Sequence, residues 1–445
     1  MQIKVFKFGG GAVKDAEGVR QLSRVLARFS DVPLVVVISA IGKTTNLLED
    51  IASGWKAVPG STPDRVAADW AWQSISREWT ANTREHLFWV LVETHDKVIR
   101  ELMPNNPEHI MKTIQPLFEQ LRTLLEQAPS GNDNKDYDRV VSYGELLSTT
   151  LIAKYLQLSG RQNRWLDARE VLVTDNTYRE GKVDWKITVP LIKREVGDLM
   201  DTNTTNLIIT QGFIGRSKEG VPITLGREGS DFTAAIFAYS LNAESVTIWK
   251  DVPGFYNADP KVFPHAIKLD TISYEEAIEM SYYGATIIHP KTIKPLQNKQ
   301  IPLYVKSLFH PELQGSTIVK TGDIAQVPSY IFKKNQILIS IYPKDFSFIA
   351  AGNLSAIFSI LSNYNLKINM MQNTALSFSV CVDHVPEQVL PVLVSLKESY
   401  RVKYNTNVEL ATIRHYTEDI LDRVAFNRVV LMEQRSRSTV QLVMK

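Results

Sequence analysis

The chain has 445 residues, 44% of them hydrophobic and 22% charged, with a formal net charge of +2. Such a profile is globular, long enough for two or three domains, and lacks the global basic field that a nucleic-acid partner would need. A single cysteine, Cys381, excludes an intramolecular disulfide framework and a thiolate metal cluster, which fits a reducing cytoplasm. The opening MQIKVFKFGGG has no apolar signal core, and nowhere do about 18 uncharged apolar residues run together, so an unexported protein without a membrane partner is expected.

Residues 3–8 form a short β-rich run ending in Gly9-Gly10-Gly11, after which Val19, Leu22, Val25 and Leu26 recur at three- and four-residue intervals. The pattern predicts strand, glycine turn, helix. Residues 34–38 (LVVVI) make a continuous apolar strand of the type buried on both faces of a parallel sheet, followed by the small-residue turn Ser39-Ala40-Ile41-Gly42 and another helix. Residues 55–127 read as a helical insertion punctuated by Pro104, Pro107 and Pro116, and 130–136 as a polar loop. Strands at 207–210 and 246–249, with a helix at 232–239 between them, continue the β/α alternation to about residue 305. The expected fold class is therefore α/β, a mostly parallel sheet sandwiched by helices. Beyond it the rhythm changes to β (336–341), α (354–361), β (367–371), β (375–382), α (385–396), β (408–415), an α+β unit of βαββαβ order. Residues 417–445 offer one helix and two strands, half of a second such unit, whose other half is expected from earlier chain around 316–331.

Three constellations carry chemistry. Lys7-Phe8-Gly9-Gly10 places a cation at a strand end beside glycines that let backbone N–H groups approach a phosphate, although a plain glycine turn has the same composition. Residues 224–231 (TLGREGSD) gather Arg227, Ser230 and Asp231 before a helix. The guanidinium offers a planar fork for a carboxylate, and Ser230 and the helix N-terminus supply donors. Asp231 either orients Lys7 or holds Mg²⁺ through water, and Ser230-Asp231 also suits an N-cap. Glu145, in SYGELLS at 142–148, favours the first turn of a helix electrostatically or binds an ammonium group.

In order along the chain, KFGG (7–10), SAIGKTTNLL (39–48), SYGELLS (142–148), TQGFIG (210–215), LGREGSDFTAA (225–235), WKDVPGFYNADPK (249–261) and GATIIHPKT (284–292) closely resemble the aspartate kinases. The first motif and the GSD block are shared more loosely with glutamate, acetylglutamate and uridylate kinases; SYGE and the DVPG-Y-DP segment narrow the match. The resemblance implies an amino acid kinase fold over 1–305 and tandem ACT regulatory domains over 306–445, the first at 336–415 and the second split and completed by 416–445. It implies transfer of the γ-phosphoryl group of ATP to the side-chain carboxylate of L-aspartate, the first step towards lysine, threonine and methionine, with Mg²⁺ as a further cofactor and no protein metal ligands assigned.

By the same resemblance Lys7 and Asp231 are catalytic, and Lys7, Phe8, Gly9 and Gly10 meet the nucleotide phosphates. Arg227 clamps the substrate α-carboxylate, Glu145 pairs with its ammonium group, Thr45 and Ser230 surround it, and Ser39, also on the substrate side, lies near the transferred phosphate. Lys250, Asp251, Tyr256 and Lys261 stand at the nucleotide. A homodimer through the ACT region and an amino-acid effector are also implied. Departures from the family pattern imply altered nucleotide contacts: Gly11-Ala12 for Thr-Ser, Glu228 for glycine, Lys261 for arginine and Thr286 for lysine. The effector segment corresponds to 348–354, Asn369 and 372–375, with no acidic residue for an effector ammonium near the last two positions, so weak or absent lysine inhibition is expected. Two alternatives stay open: a kinase acting on glutamate, and a non-catalytic ACT-based sensor with a decayed kinase domain.

Overall fold

The computed structural model describes residues 2–55, 83–201, 205–285, 288–320, 327–345 and 347–445. Thr286 and the first part of the expected helical insertion lie outside the described residues. Two compact units emerge, one formed by Met1–Phe255, Asp270–Ala277 and Ile288–Gly322, the other by Tyr256–Leu269, Ile278–Ile287 and Asp323–Lys445.

The chain begins β1 (Lys4–Phe8), α1 (Ala16–Ala27), β2 (Leu34–Ile38), α2 (Thr44–Trp55), α3 (Thr83–Leu102), α4 (Glu108–Glu126), α5 (Asp133–Val141), α6 (Tyr143–Leu158). It continues with β3 (Arg164–Leu166), α7 (Ala168–Val171), α8 (Trp185–Asp201), β4 (Leu207–Gln211), β5 (Ile214–Arg216), β6 (Pro222–Thr224), α9 (Gly229–Leu241) and β7 (Ser245–Lys250). After the short pair β8 (Phe255–Tyr256) and β9 (Lys268–Leu269) come β10 (Thr271–Ser273), α10 (Tyr274–Tyr283), α11 (Pro290–Lys299), β11 (Leu303–Ser307) and β12 (Ser316–Val319).

In the first unit an eight-stranded sheet runs in the order β10-β12-β11-β7-β1-β2-β4-β3, parallel at every pairing except β11 with β12. Every residue of β2 is buried, as a strand covered on both faces requires. In α1 the Asp15 side chain caps the helix by accepting from Gly18 N at 2.9 Å, and Val19, Leu22, Val25 and Leu26 bury the expected stripe. α9 is apolar on nearly every face because it packs among α8, α11 and the central strands. The described part of the insertion is helical, and α4 buries Ile110, Ile114, Phe118, Leu121 and Leu125 along one side.

The expected polar loop at 130–136 is not one. Within the polar run at 130–136, Asn132 caps a helix by accepting from Asn134 N and Lys135 N, so α5 starts at Asp133. Composition suggested a loop because Asn and Asp favour turns and caps alike; the cap won.

The second unit contains β13 (Ser329–Pro343), α12 (Ala351–Asn363), β14 (Ile368–Asn373), β15 (Phe378–Asp383), α13 (Pro386–Ser399), β16 (Tyr400–Arg414), α14 (Glu418–Ala425), β17 (Val430–Arg435) and β18 (Thr439–Met444). Its strands form one antiparallel sheet of order β14-β15-β13-β16-β18-β17. Alternation sorts β13: Ile337, Ile339 and Ile341 face α12 and α13, while Leu338 joins Met370, Cys381 and Val408 on the other side. The first residues of β13 pair with the end of β16, Ser329 opposite Arg414, whereas Ser316–Val319 pairs with β10 and β11 in the large sheet. Cys381 is buried, and burial pushes its thiol up to about 12, so it is an inert core residue. No described helix is long and apolar enough to cross a membrane.

Candidate active site

β7, β1, β2 and β4 lie side by side and parallel, so the turns that follow them gather at one edge of the sheet, where open α/β sheets build ligand clefts. Lys7 pairs in register with Val37 and Ile248, one residue before the end of β1, and is 7% exposed. Its Nζ lies 2.5 Å from Oδ1 of Asp231, and Nζ of Lys250, the last residue of β7, lies 3.7 Å from Oδ2. Burial alone would raise the Asp231 carboxyl. The charges of Lys7 and Lys250 outweigh that effect and hold it below the ordinary carboxylate range. One fixed anion therefore keeps two ammonium groups beside the same turns. Each oxygen of Asp231 thus faces an ammonium group, Lys7 being the nearer.

The glycines make room for this arrangement. A Cβ on Gly9 would stand 3.2 Å from Lys7 Nζ, and one on Gly10 would stand 2.8 Å from Ala40 O and 3.1 Å from Gly42 O. Gly42 N donates to Gly10 O at 3.2 Å, lacing the turns after β1 and β2 together. Among the described residues no acceptor takes the N–H of Gly10 or Gly11. Such a turn can receive an anion. Phe8 is fully buried and stacks on Trp249 at 6.1 Å, so its backbone alone can face a ligand.

Glu145 enters from the first turn of α6. Its Oε1 accepts from Ala40 N at 3.3 Å, while Oε2 is buried with no hydrogen-bond partner. Burial pushes the carboxyl up to about 8, with the Ala40 amide and the Lys7 charge opposing. A Cβ on Gly144 would meet Ala40 Cβ at 3.1 Å and Leu48 Cδ1 at 3.2 Å, and Ser148 Oγ donates to Ser39 O at 2.9 Å. The SYGELLS and SAIGKTT segments are thus one packed piece. Ser39 and Thr45 are half-buried on it.

The third piece carries Arg227 and Ser230. A Cβ on Gly212 would fall 2.4 Å from Ser230 Cβ, so the glycine of TQGFIG exists to seat Ser230. Contrary to the simple expectation, the N-cap of α9 is Glu228, at φ 54, and Ser230 and Asp231 sit inside its first turn. Arg227 is exposed, and its charge, like those of Lys7 and Lys250, bears on the Glu228 carboxylate. Lys250 is half-buried and Asp251 exposed. Tyr256 and Lys261, half-buried and exposed respectively, belong to the second unit.

Two positioning residues escaped sequence reasoning. Asp138 of α5 accepts from Thr224 Oγ1 at 2.7 Å and from Arg179 N at 2.9 Å, anchoring the strand that leads into the Arg227 turn. Burial pushes its carboxyl up to about 6, against those hydrogen bonds. Lys291 of α11 donates to Leu225 O at 2.6 Å and holds the same turn from the other end. The signal for Asp138 lay in the Asn132 cap, which sets the helix that carries it.

The sequence model described as the amino acid kinase family matches residues 2–307. Over 384 residues the chain is 31% identical to the lysine-sensitive aspartokinase 3 of Escherichia coli (strain K12), covering 86% of this chain and 78% of that protein. The chain belongs to the amino acid kinase family, among the aspartokinases. It is also 29% identical over 383 residues to the chloroplastic aspartokinase 1 of Arabidopsis thaliana, covering 85% of this chain and 63% of that longer relative. Among solved structures, E. coli aspartokinase III in complex with aspartate and ADP superposes with a TM-score of 0.81 at 26% identity, covering 99% of this chain and 96% of that one. The shared architecture extends through the C-terminal antiparallel sheet, in line with the expected fold class of this aspartokinase.

Proposed function

We propose that this aspartokinase transfers the γ-phosphoryl group of ATP to the side-chain carboxylate of L-aspartate, giving 4-phospho-L-aspartate and ADP. The observation that carries the reading is the Lys7–Asp231–Lys250 cluster, set beside the Gly9-Gly10 turn and within electrostatic reach of Glu145. The substrate carboxylate has an unperturbed pKa of about 3.9, so it attacks already ionised and needs no general base. A carboxylate oxygen bonds to the γ-phosphorus as the bond from phosphorus to the β,γ-bridging oxygen breaks, and ADP carries the electron pair away. The protein orients the reactants and neutralises charge.

In this proposal Lys7 neutralises the transferring group, Asp231 holds Lys7 in place, and the backbone of Phe8, Gly9 and Gly10 cradles the phosphates. Glu145 receives the substrate ammonium group, Arg227 the α-carboxylate, and Ser39, Thr45 and Ser230 complete the pocket. Lys250 and Asp251 serve the nucleotide. Mg²⁺ accompanies the nucleotide and would supply charge neutralisation when bound; Glu228, whose buried Oε2 has no hydrogen-bond partner, is a carboxylate that would face it. A cytoplasmic homodimer joined through the C-terminal region completes the proposal. Trapping the acyl phosphate with hydroxylamine tests it: hydroxamate should form with aspartate and not with glutamate, and the reverse preference, or none, would sink it.

The phosphate-binding turn makes a sharper prediction. Gly10→Ala should weaken ADP binding by about tenfold or more, because its Cβ forces apart the backbone of two turns. Gly11→Thr should bind ADP at least as well as the parent, since nothing lies within 4 Å of its Cβ position. Equal affinities for Gly10→Ala and the parent in calorimetry would contradict the assignment.

Regulation is expected to differ from that of a lysine-sensitive relative. Within the second unit the Asn369 amide is already committed: Oδ1 accepts from Lys333 Nζ at 2.8 Å, and Nδ2 donates to Gln336 Oε1 at 2.8 Å and Asp383 Oδ1 at 3.0 Å. Lys333 thus already occupies the Asn369 carbonyl, and the Asp383 carboxylate beside it accepts from the Asn369 and Gln336 amides. Millimolar lysine should leave turnover unchanged; a sigmoidal loss of activity in the same assay would refute this.

A further inference from the structure

Glu228 holds a backbone conformation that glycine would adopt more easily. Its φ of 54 is left-handed, a conformation costly to a residue with a Cβ, and its side chain makes no capping hydrogen bond to α9. The side chain lies instead among the charges of the cleft, with Lys250, Asp231, Arg227 and Lys7 all bearing on it. Oε2 is buried and has no hydrogen-bond partner. Burial raises the carboxyl above the ordinary range, and Lys250 is the largest charge opposing the rise.

We propose that Glu228 is a specificity-determining residue of the nucleotide site, whose carboxylate makes the cleft select the magnesium complex of the nucleotide over the bare polyphosphate. The inference rests on the kinase reading above. Lys7, Lys250 and Arg227 are set against the two carboxylates Asp231 and Glu228, so the Glu228 carboxylate removes one full charge from the positive surplus this part of the cleft offers. A bare polyphosphate entering it meets the Glu228 carboxylate as a repelling neighbour. A magnesium-bound one brings a hard cation that seeks oxygen ligands, and the same carboxylate becomes an attraction. Asp231 suits that purpose less, because an ammonium group already faces each of its oxygens, Lys7 at 2.5 Å and Lys250 at 3.7 Å. Glu228, with one oxygen unclaimed, suits it better.

Calorimetric titration of the full chain with ADP, in magnesium and in chelator, tests this on the parent, Glu228→Gln and Glu228→Gly. Glutamine keeps the shape and glycine relieves the left-handed backbone, so both variants are compatible with the fold. Magnesium-free ADP should bind both variants about tenfold more tightly than it binds the parent, and the tightening caused by magnesium should shrink about tenfold, the effect of one charge at close range. A magnesium effect of the same size in all three proteins would overturn the role of Glu228 and leave the kinase reading standing. Failure of all three to bind ADP under either condition would overturn both.

Discussion

Lys7→Met should lower kcat on the order of 10³-fold, the scale lost when one preorganised positive partner of a developing charge is removed. The same substitution should destabilise the protein, because Asp231 is 2% exposed and would keep only the more distant Lys250 as partner. Removing one member of a buried pair costs about 3–5 kcal/mol, and Lys250 should bring the loss to the lower end of that range. Replacing both residues separates the two effects. Lys7→Met with Asp231→Asn should regain most of the lost stability, since no uncompensated charge remains, while kcat stays low. Urea midpoints and single-turnover rates on the three proteins provide the comparison. A double variant that recovers activity along with stability would mean that Lys7 is only a structural counter-ion.

Glu145 should show the opposite relation between stability and function. Burial disfavours the charged form and pushes its carboxyl up to about 8 from an ordinary 4.5. Between those values the folded state holds a proton that the unfolded state has released, so stability falls as pH rises through that window. The full penalty above pH 8 is on the order of 3–5 kcal/mol. Glu145→Gln should match the parent near pH 5 and exceed it in melting temperature at pH 9. Aspartate binding runs the other way: the ammonium group needs the ionised carboxylate, so KM for aspartate should fall in the parent as pH approaches 8. In Glu145→Gln it should be raised about 10- to 100-fold, the value of a hydrogen bond between charged groups. Identical melting temperatures at pH 9, or an unchanged KM, would remove Glu145 from the substrate site.

How far the sequence foretold this arrangement depended on whether the physics was local. β2 and the α1 stripe were visible because burial leaves its mark in consecutive residues and in helical spacing. The βαββαβ order of the second unit was visible for the same reason, although the length of β13 and β16, which lets them carry strands of both halves of the sheet, was not. Lys7, Gly9, Gly10, Glu145 and Ser230 stood out because glycine-flanked polar residues punctuate apolar runs. Asp138 and Lys291 did not, since each acts through a turn distant in sequence, at Thr224 and Leu225. The same limit hid the geometry at Glu228: the residue was noticeable as a departure, but its left-handed backbone and unpartnered oxygen belong to the folded turn before α9.

Everything proposed for the site requires Lys7 and Arg227 to serve one cleft, linked in the protein by Asp231 and Glu228. A crystal structure of the full chain with ADP and aspartate measures this directly. Lys7 Nζ should lie within hydrogen-bond distance of the terminal ADP phosphate, with Arg227 on the α-carboxylate and Glu145 on the ammonium group of the same aspartate. An aspartate bound away from Arg227 and Glu145, or an ADP whose phosphates avoid the Gly9-Gly10 turn, would contradict it.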